Sequence, residues 1–506
     1  MSILSDLLNG VIAIDPAAPA VDHDGRWYSW GELAHAIGAI SGELQKLGLG
    51  ENARIGMMVK NRPGPLAAVM TAVSIDACIV SVNPLLPVDR LVADIGNLRV
   101  PVMIAESVDL ERPGVLDAIA KAGTAIVELK PGMEGAQLRP GFDKVTGRDL
   151  RTHDENIIIE MLTSGTTGVP KRIPLQREAY EKSFVGALSY EKGRSADEPP
   201  KLRSGTQLLT NPMTHIGGLW HALATLLAGR KLCLVEKFTV EAWRHAVVRH
   251  RPRIAGAVPA AIRMILDANI PKEDLSSLVA VRAGAAPLDP DVADEFFDRY
   301  GIPVLQNYGA TEFAGAVAGW GLAEYHKHWK AKRGSVGRFQ PGVKGRVVDP
   351  ETGAELPAGT EGVLEMKAAQ FANGGQWLRT TDRAVIDEDG FLFILGRADN
   401  AIIRGGFKVH PDDVVAILEK HPAVREAVIV GIPDRRLGSV PVAAVILKSG
   451  AERPGEAELS AFVKERALPY QVPVAFRIVD DVPRTPSMKP ALPQVRAMFE
   501  IESTAA

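Results

Sequence analysis

Cysteine is almost absent from this 506-residue chain. Cys78 and Cys233 lie far apart, without CxxC or metal-ligand spacing, which excludes a disulfide framework and fits a reducing compartment. Charge of one sign is missing too. With 58 Lys and Arg against 61 Asp and Glu, the formal net charge of −3 leaves no electrostatic footprint for nucleic acid. Nor does any basic run suit an anionic membrane. The longest apolar region, residues 66–86, is interrupted by Ser74, Asp76 and Asn83, so it reads as buried core and not as a membrane span. The opening MSILSDLLNGVIAID has no basic segment and carries an acidic residue, which argues against a signal peptide. A cytoplasmic protein is expected.

What is present is an ordinary globular composition, 46% hydrophobic and 24% charged, over a length that suggests several domains. Up to about residue 396, strand-like runs (54–60, 125–129, 157–162, 254–258, 278–282, 304–307) alternate with helical patterns such as 28–47 and 292–300. Such alternation predicts an α/β fold: a large multi-layer N-terminal body with largely parallel sheets. Turn signals at 349–353 and 356–360 predict a β-rich subdomain within it. After Gly396-Arg397 the pattern becomes helix (411–420), strands (424–432 and 440–447), helix (456–466) and strand (475–479). That is enough for a small α+β C-terminal domain with its own core. The expected division is 1–396 and 397–506, with a boundary near Asp399.

One loop concentrates phosphate-binding chemistry. Thr163, Ser164, Gly165, Thr166, Thr167, Gly168 and Lys171 follow directly on an apolar strand-like run. Glycines let backbone N–H groups approach a polyphosphate, hydroxyls add donors or reach Mg²⁺, and lysine adds a cation. The spacing is not that of a P-loop, because Pro170 precedes the lysine. Five further segments follow in order. They are Pro212-Met-Thr-His-Ile-Gly-Gly218, Gly284-Ala-Ala-Pro-Leu288, Tyr308-Gly-Ala-Thr-Glu312, the stretch from Trp377 through Asp382 to Asn400, and Pro483-Arg-Thr-Pro-Ser-Met-Lys489.

In this order the motifs resemble the adenylate-forming superfamily of acyl-CoA synthetases, luciferases and nonribosomal-peptide adenylation domains, most of all an acyl-CoA ligase. The resemblance spans nearly the whole chain and implies two steps. A carboxylate attacks the α-phosphate of ATP to give acyl-AMP and pyrophosphate; a nucleophile, usually the CoA thiol, then displaces AMP. It also implies a mobile small domain that rotates between the steps. By this resemblance residues 163–171 hold the β- and γ-phosphates, Thr311 donates to the α-phosphate, and Glu312, with Thr166, binds Mg²⁺. Tyr308 stacks on adenine beside Gly284, Ala285, Ala286 and Pro287. Asn307, Gly309, Ala310 and Ile394 complete the nucleotide set, and Asp382 with Arg397 meets the ribose. Lys489 is the catalytic lysine, and His215 lies near the reacting carboxylate. Asp399 is the hinge, and Gly405-Gly406 approaches the pantetheine arm.

The acyl pocket implied by the resemblance comprises His215, Ile216, Gly217, Val258, Ala283, Gly284, Ala285, Gly309, Ala310 and Phe313. Its small residues leave room for a medium-chain, aromatic or polycyclic acid, and no basic residue in the set pairs a second carboxylate, so a monocarboxylic substrate is expected. The alternative is an amide synthetase, in which an amine captures the acyl-adenylate; a non-catalytic nucleotide-binding member of the fold is the third reading, disfavoured because the motif side chains are all present. Arg172, Thr381 and Met488 stand where the family customarily has glycine. Oligomeric state, monomer or homodimer, is not legible.

Overall fold

The structure, a computed structural model, describes residues 2–162, 172–188, 198–371, 373, 375–485 and 488–500. The phosphate-loop residues Thr163 to Lys171 therefore lie outside the described residues.

The N-terminal body holds three largely parallel sheets, one of four strands (Thr206–Leu209, Lys231–Leu234, Pro19–His23 and Arg26–Ser29) and two larger ones. Of these two, the first has seven strands in the order Ala136–Leu138, Ala125–Leu129, Val102–Glu106, Arg54–Met58, Cys78–Val82, Ile157–Leu162 and Arg172–Gln176; its interior pairings are parallel and both outermost pairings antiparallel. The second has five strands, Ile254–Gly256, Ala280–Ala283, Val304–Ala310, Gly315–Gly319 and Arg338–Phe339, parallel across the first three. A four-stranded antiparallel sheet, Lys344–Val348 to Leu392–Arg397, supplies the β-rich subdomain. The turn at 349–353 is closed by the Gly353 amide on the Asp349 carbonyl at 3.0 Å. No helix among the described residues is long and apolar enough to cross a membrane.

Local chemistry explains most element boundaries. The first long helix starts at Trp30 and not at residue 28, because Ser29 and Glu32 form a reciprocal capping box and Arg26–Ser29 pairs as a strand. Pro411–Leu418 carries Pro at its start and Asp412 and Asp413 in its first turn, as expected. Around it the small domain is richer than the expected pattern. A hairpin, Ile402–Arg404 with Phe407–Val409, extends the sheet, and a terminal helix, Leu492–Glu500, covers its other face through Val495 and Phe499. Three-residue strands carry too little periodicity to be read from sequence.

The deepest ion pair braces the strand that leads into residue 163. Arg54, 1% exposed, donates from Nε and Nη2 to the two carboxylate oxygens of Glu160, each at 2.7 Å, and from Nη1 to the Arg151 carbonyl at 2.9 Å. Arg54→Met strips a buried carboxylate of its two close hydrogen bonds, leaving only the exposed Arg151 at 3.6 Å, and is expected to cost about 3–5 kcal/mol, whereas adding Glu160→Leu recovers most of it. Urea unfolding of the single and double variants checks this.

Candidate active site

Strand ends bring the motif residues together. Val304–Ala310 carries Asn307 to Ala310 at its C-terminal end, where ligands collect in parallel sheets. Tyr308 thus lies within the strand and not after it, and Thr311–Phe313 forms a short 3₁₀ turn beyond. Close backbone approach requires glycine twice here. A Cβ on Gly284 would sit 2.2 Å from Asn307 Oδ1, and one on Gly309 would sit 2.3 Å from the Gly315 carbonyl. Next to Gly284, Ala285 holds a left-handed φ of +70°, a strained backbone of the kind that clusters at binding sites.

The residues expected to meet the nucleotide form two hydrogen-bonded pairs, Tyr308 with Asp382 and Arg397 with Asp399, that face each other across a sheet. The Tyr308 hydroxyl donates to Asp382 Oδ2, which fixes the ring and leaves the other carboxylate oxygen for a ligand. Burial pushes the Asp382 carboxyl up, while the Tyr308 hydroxyl and the Arg397 charge pull it back. Arg397 faces Asp382 across the sheet, yet its guanidinium is held by Asp399, with Nε to Oδ1 at 2.7 Å and Nη2 to Oδ2 at 2.6 Å. The proposed hinge residue and ribose residue are therefore clamped together. Ile394 packs with Tyr308 and Ala310 against the subdomain core. Glu312 is exposed, with no hydrogen bond or ion pair among the described residues, and lies within electrostatic reach of Arg397. A free carboxylate at this position fits a hard divalent cation.

Lys489 reaches this group from the C-terminal domain. Its ammonium lies within electrostatic reach of both Arg397 and His215; burial, then the Arg397 charge, holds its pKa below the usual lysine value. The loop behind it is built tightly. Lys489 donates its amide to Thr485 Oγ1 at 3.2 Å, its carbonyl accepts from the Thr485 amide at 2.8 Å, and Arg484 is anchored to Glu426 at 2.8 Å. Met488 adopts φ +63°, the left-handed conformation that explains the customary glycine. Arg172 is accounted for by pairing with both oxygens of Asp94 at 2.9 Å. Thr381 lies where the strand Leu378–Ile386 bulges against its neighbour, and its carbonyl accepts from the Ala398 amide at 2.7 Å.

His215 precedes the helix Ile216–Leu227 without capping it through its side chain. Its Nε2 is buried with no hydrogen-bond partner among the described residues, and burial, aided by Lys489, pushes its pKa down to about 4. A neutral ring with an open nitrogen suits a bound carboxyl group. Of the expected pocket residues, Gly217, Ala285 and Gly309 are exposed, and only Ala283 and Phe313 are buried. Phe313, only 4% exposed, packs on Phe371 at 5.6 Å and Tyr308 at 6.0 Å, and so backs the pocket from within the core. Gly405 and Gly406 form the left-handed turn of the small-domain hairpin, with Phe407 exposed beside them and stacked on Tyr470 at 4.8 Å.

Three residues of this region were missed by sequence reasoning: Arg282, Trp220 and His221. None belongs to a motif, and only their neighbours Ala283 and Ile216 were singled out.

Comparison with known proteins agrees with this geometry. Residues 11–374 match the AMP-binding enzyme family and residues 414–489 the AMP-binding enzyme C-terminal domain, so the chain belongs to the AMP-binding enzyme family. It is an adenylate-forming enzyme by family and by fold. The 4-coumarate–CoA ligase-like 9 of Oryza sativa subsp. japonica is 28% identical over 94% of this chain and 88% of its own length. Among solved structures, the amide bond synthetase McbA from Marinactinospora thermotolerans is 26% identical with a TM-score of 0.79, covering 98% of this chain and all of its own (100%). ATP-bound MatB from Rhodopseudomonas palustris shares the fold, with a TM-score of 0.80 at 23% identity over 98% of this chain and 99% of its own.

Proposed function

We propose that this enzyme is a carboxylate–CoA ligase that activates its acid as acyl-AMP with ATP and Mg²⁺, then passes the acyl group to the CoA thiol. The observation that carries this reading is the convergence of Lys489, from the end of the small domain, on His215 of the body and on Arg397 at the domain boundary. Attack at the α-phosphorus builds negative charge on its oxygens and on the leaving pyrophosphate, so positioning and electrostatic stabilisation do most of the catalysis. Lys489 and Thr311 meet that charge, Tyr308 and Asp382 hold the nucleoside, and His215 orients the carboxylate. Glu312 and Thr166 would hold Mg²⁺, which would supply neutralising charge for the phosphates. Residues 163–171 take the outer phosphates.

Domain rotation belongs to the same proposal, with the body ending at residue 396, the mobile domain at 397–506 and Asp399 as hinge. In the present arrangement the small domain is held by polar contacts, Arg263 to Glu419 at 3.1 Å, Arg425 to Asp267 at 3.0 Å and Arg383 to Asp413 at 3.1 Å. Exchange between two docked states favours polar, remakeable contacts of this kind. The second step would bring the Gly405-Gly406 turn to the pantetheine arm. Two buried, free cysteines support a reducing, cytoplasmic setting.

An amine acceptor is the second reading, favoured by the full-length likeness to an amide bond synthetase. Pyrophosphate release across a panel of carboxylic acids, with CoA or with amines, followed by product mass spectrometry, separates the two. A thioester formed only with CoA supports the ligase, and an amide formed without CoA supports the alternative. Glu312→Gln is expected to raise the Mg²⁺ concentration needed for half-maximal turnover by about tenfold, because a carboxamide is a neutral and poorer ligand. An unchanged magnesium titration removes Glu312 from the metal site.

A further inference from the structure

Arg282 is a solvent-accessible cation with no partner among the described residues. On the strand Ala280–Ala283, Val281 and Ala283 face the apolar core with Ile262 and Phe296, so Arg282 between them projects from the opposite face. Its side chain is reachable by solvent, yet surrounding protein holds its pKa below the usual arginine value, as for a group lining a cleft and not an outer surface. Among the described residues it has no ion pair and no side-chain hydrogen bond. Three more deeply buried arginines each own a carboxylate: Arg54 has Glu160, Arg172 has Asp94 and Arg263 has Glu419.

Its neighbours place it in the acyl pocket. Arg282 precedes Ala283 and Gly284, and it acts electrostatically on His221, whose pKa burial and this charge push down to about 4. His221 and Trp220 lie on the same helix as Ile216, so His221 stands about 9 Å along the helix from His215. Trp220 Nε1 is buried without a partner among the described residues, and its edge lies 3.9 Å from where a Cβ on Gly315 would sit, just beyond the Thr311–Phe313 turn. An unpaired guanidinium thus lies within electrostatic reach of a neutral imidazole, whose helix also carries an unpaired indole N–H. A buried indole donor of this kind is costly unless a ligand completes it.

We propose that Arg282, with Trp220 and His221, binds a second carboxylate on the substrate, so that the enzyme activates one end of an extended dicarboxylic acid. The inference rests on the carboxylate-activating function proposed above, and it departs from the single-carboxylate expectation, which counted only motif residues. A separation on the order of 9 Å between the two anchoring points matches an acid such as suberate or 4-carboxycinnamate. Arg282 is then a specificity residue and takes no part in phosphoryl chemistry.

The test compares matched acids, 4-carboxycinnamate with cinnamate and suberate with octanoate, by kcat/KM for pyrophosphate release. A charge-assisted pair predicts a preference for the dicarboxylate of about 10–100-fold. In Arg282→Met the ratio within each pair falls by that factor, mainly through KM, while Arg282→Lys retains part of it. NMR titration of His221 in the wild-type protein gives a second readout. Its pKa rises when 4-carboxycinnamate binds with a non-hydrolysable ATP analogue and does not rise with cinnamate. Equal kcat/KM within each pair, unchanged in Arg282→Met, overturns the inference and leaves the ligase reading standing. Absence of acid-dependent pyrophosphate release with every acid overturns the ligase reading instead. In that event, Arg282-dependent binding of 4-carboxycinnamate by calorimetry still supports the anion site, and its absence ends it.

Discussion

Lys489→Ala is expected to slow acyl-AMP formation by on the order of 10²–10³-fold while leaving thioester formation from supplied acyl-AMP near its normal rate. The loss belongs to the first step because only there does charge build on the transferring phosphate. The ammonium is delivered to that point by the Thr485–Lys489 loop and is already partly desolvated beside Arg397 and His215. Rapid-quench measurement of each half-reaction reads the two rates separately. An equal loss in both would mean that Lys489 supports the fold of the small domain and not the chemistry.

Asp399→Pro should do the reverse, sparing adenylation and depressing transfer to the second substrate by at least tenfold. Asp399 occupies a turn directly after the strand Leu392–Arg397, and its backbone is not in the left-handed region. Proline fixes φ near −65° and restricts residue 398, so the segment cannot traverse the rotation between two docked orientations. The substitution also deletes the carboxylate that clamps Arg397, so Asp399→Ala is the control that removes the ion pair but keeps the backbone free. Selective loss of the second step in the proline variant alone supports the hinge. Parallel loss of both steps, or the same loss in the alanine variant, contradicts it.

The large architecture was legible because its signals are long or repeated. The runs 125–129 and 157–162 coincide with strands residue for residue, and the Pro411 helix announced itself by proline and two aspartates. The Ile402–Val409 hairpin was not legible, since two three-residue strands joined by Gly405-Gly406 leave no alternation to count. The site divides in the same way. Tyr308, Glu312, Asp382, Arg397 and Lys489 were read from ordered motifs, and the structure gathers them around two strand ends and one loop. Arg282 stayed invisible because one arginine in a strand looks like a solvated edge. Only the fold brings this strand face within electrostatic reach of His221. Met488 shows the opposite case, where a departure from custom noticed in the sequence proves to be a left-handed residue supporting the lysine loop.

The central claim is that the acid is activated at the α-phosphate, and isotope transfer tests it directly. An acid carrying ¹⁸O in both carboxylate oxygens, turned over with ATP and CoA, should leave one ¹⁸O in AMP and none in pyrophosphate. The oxygen that attacks the α-phosphorus stays with it when the thiol breaks the acyl C–O bond. Release of ADP with label in inorganic phosphate, or AMP free of label, would contradict the account.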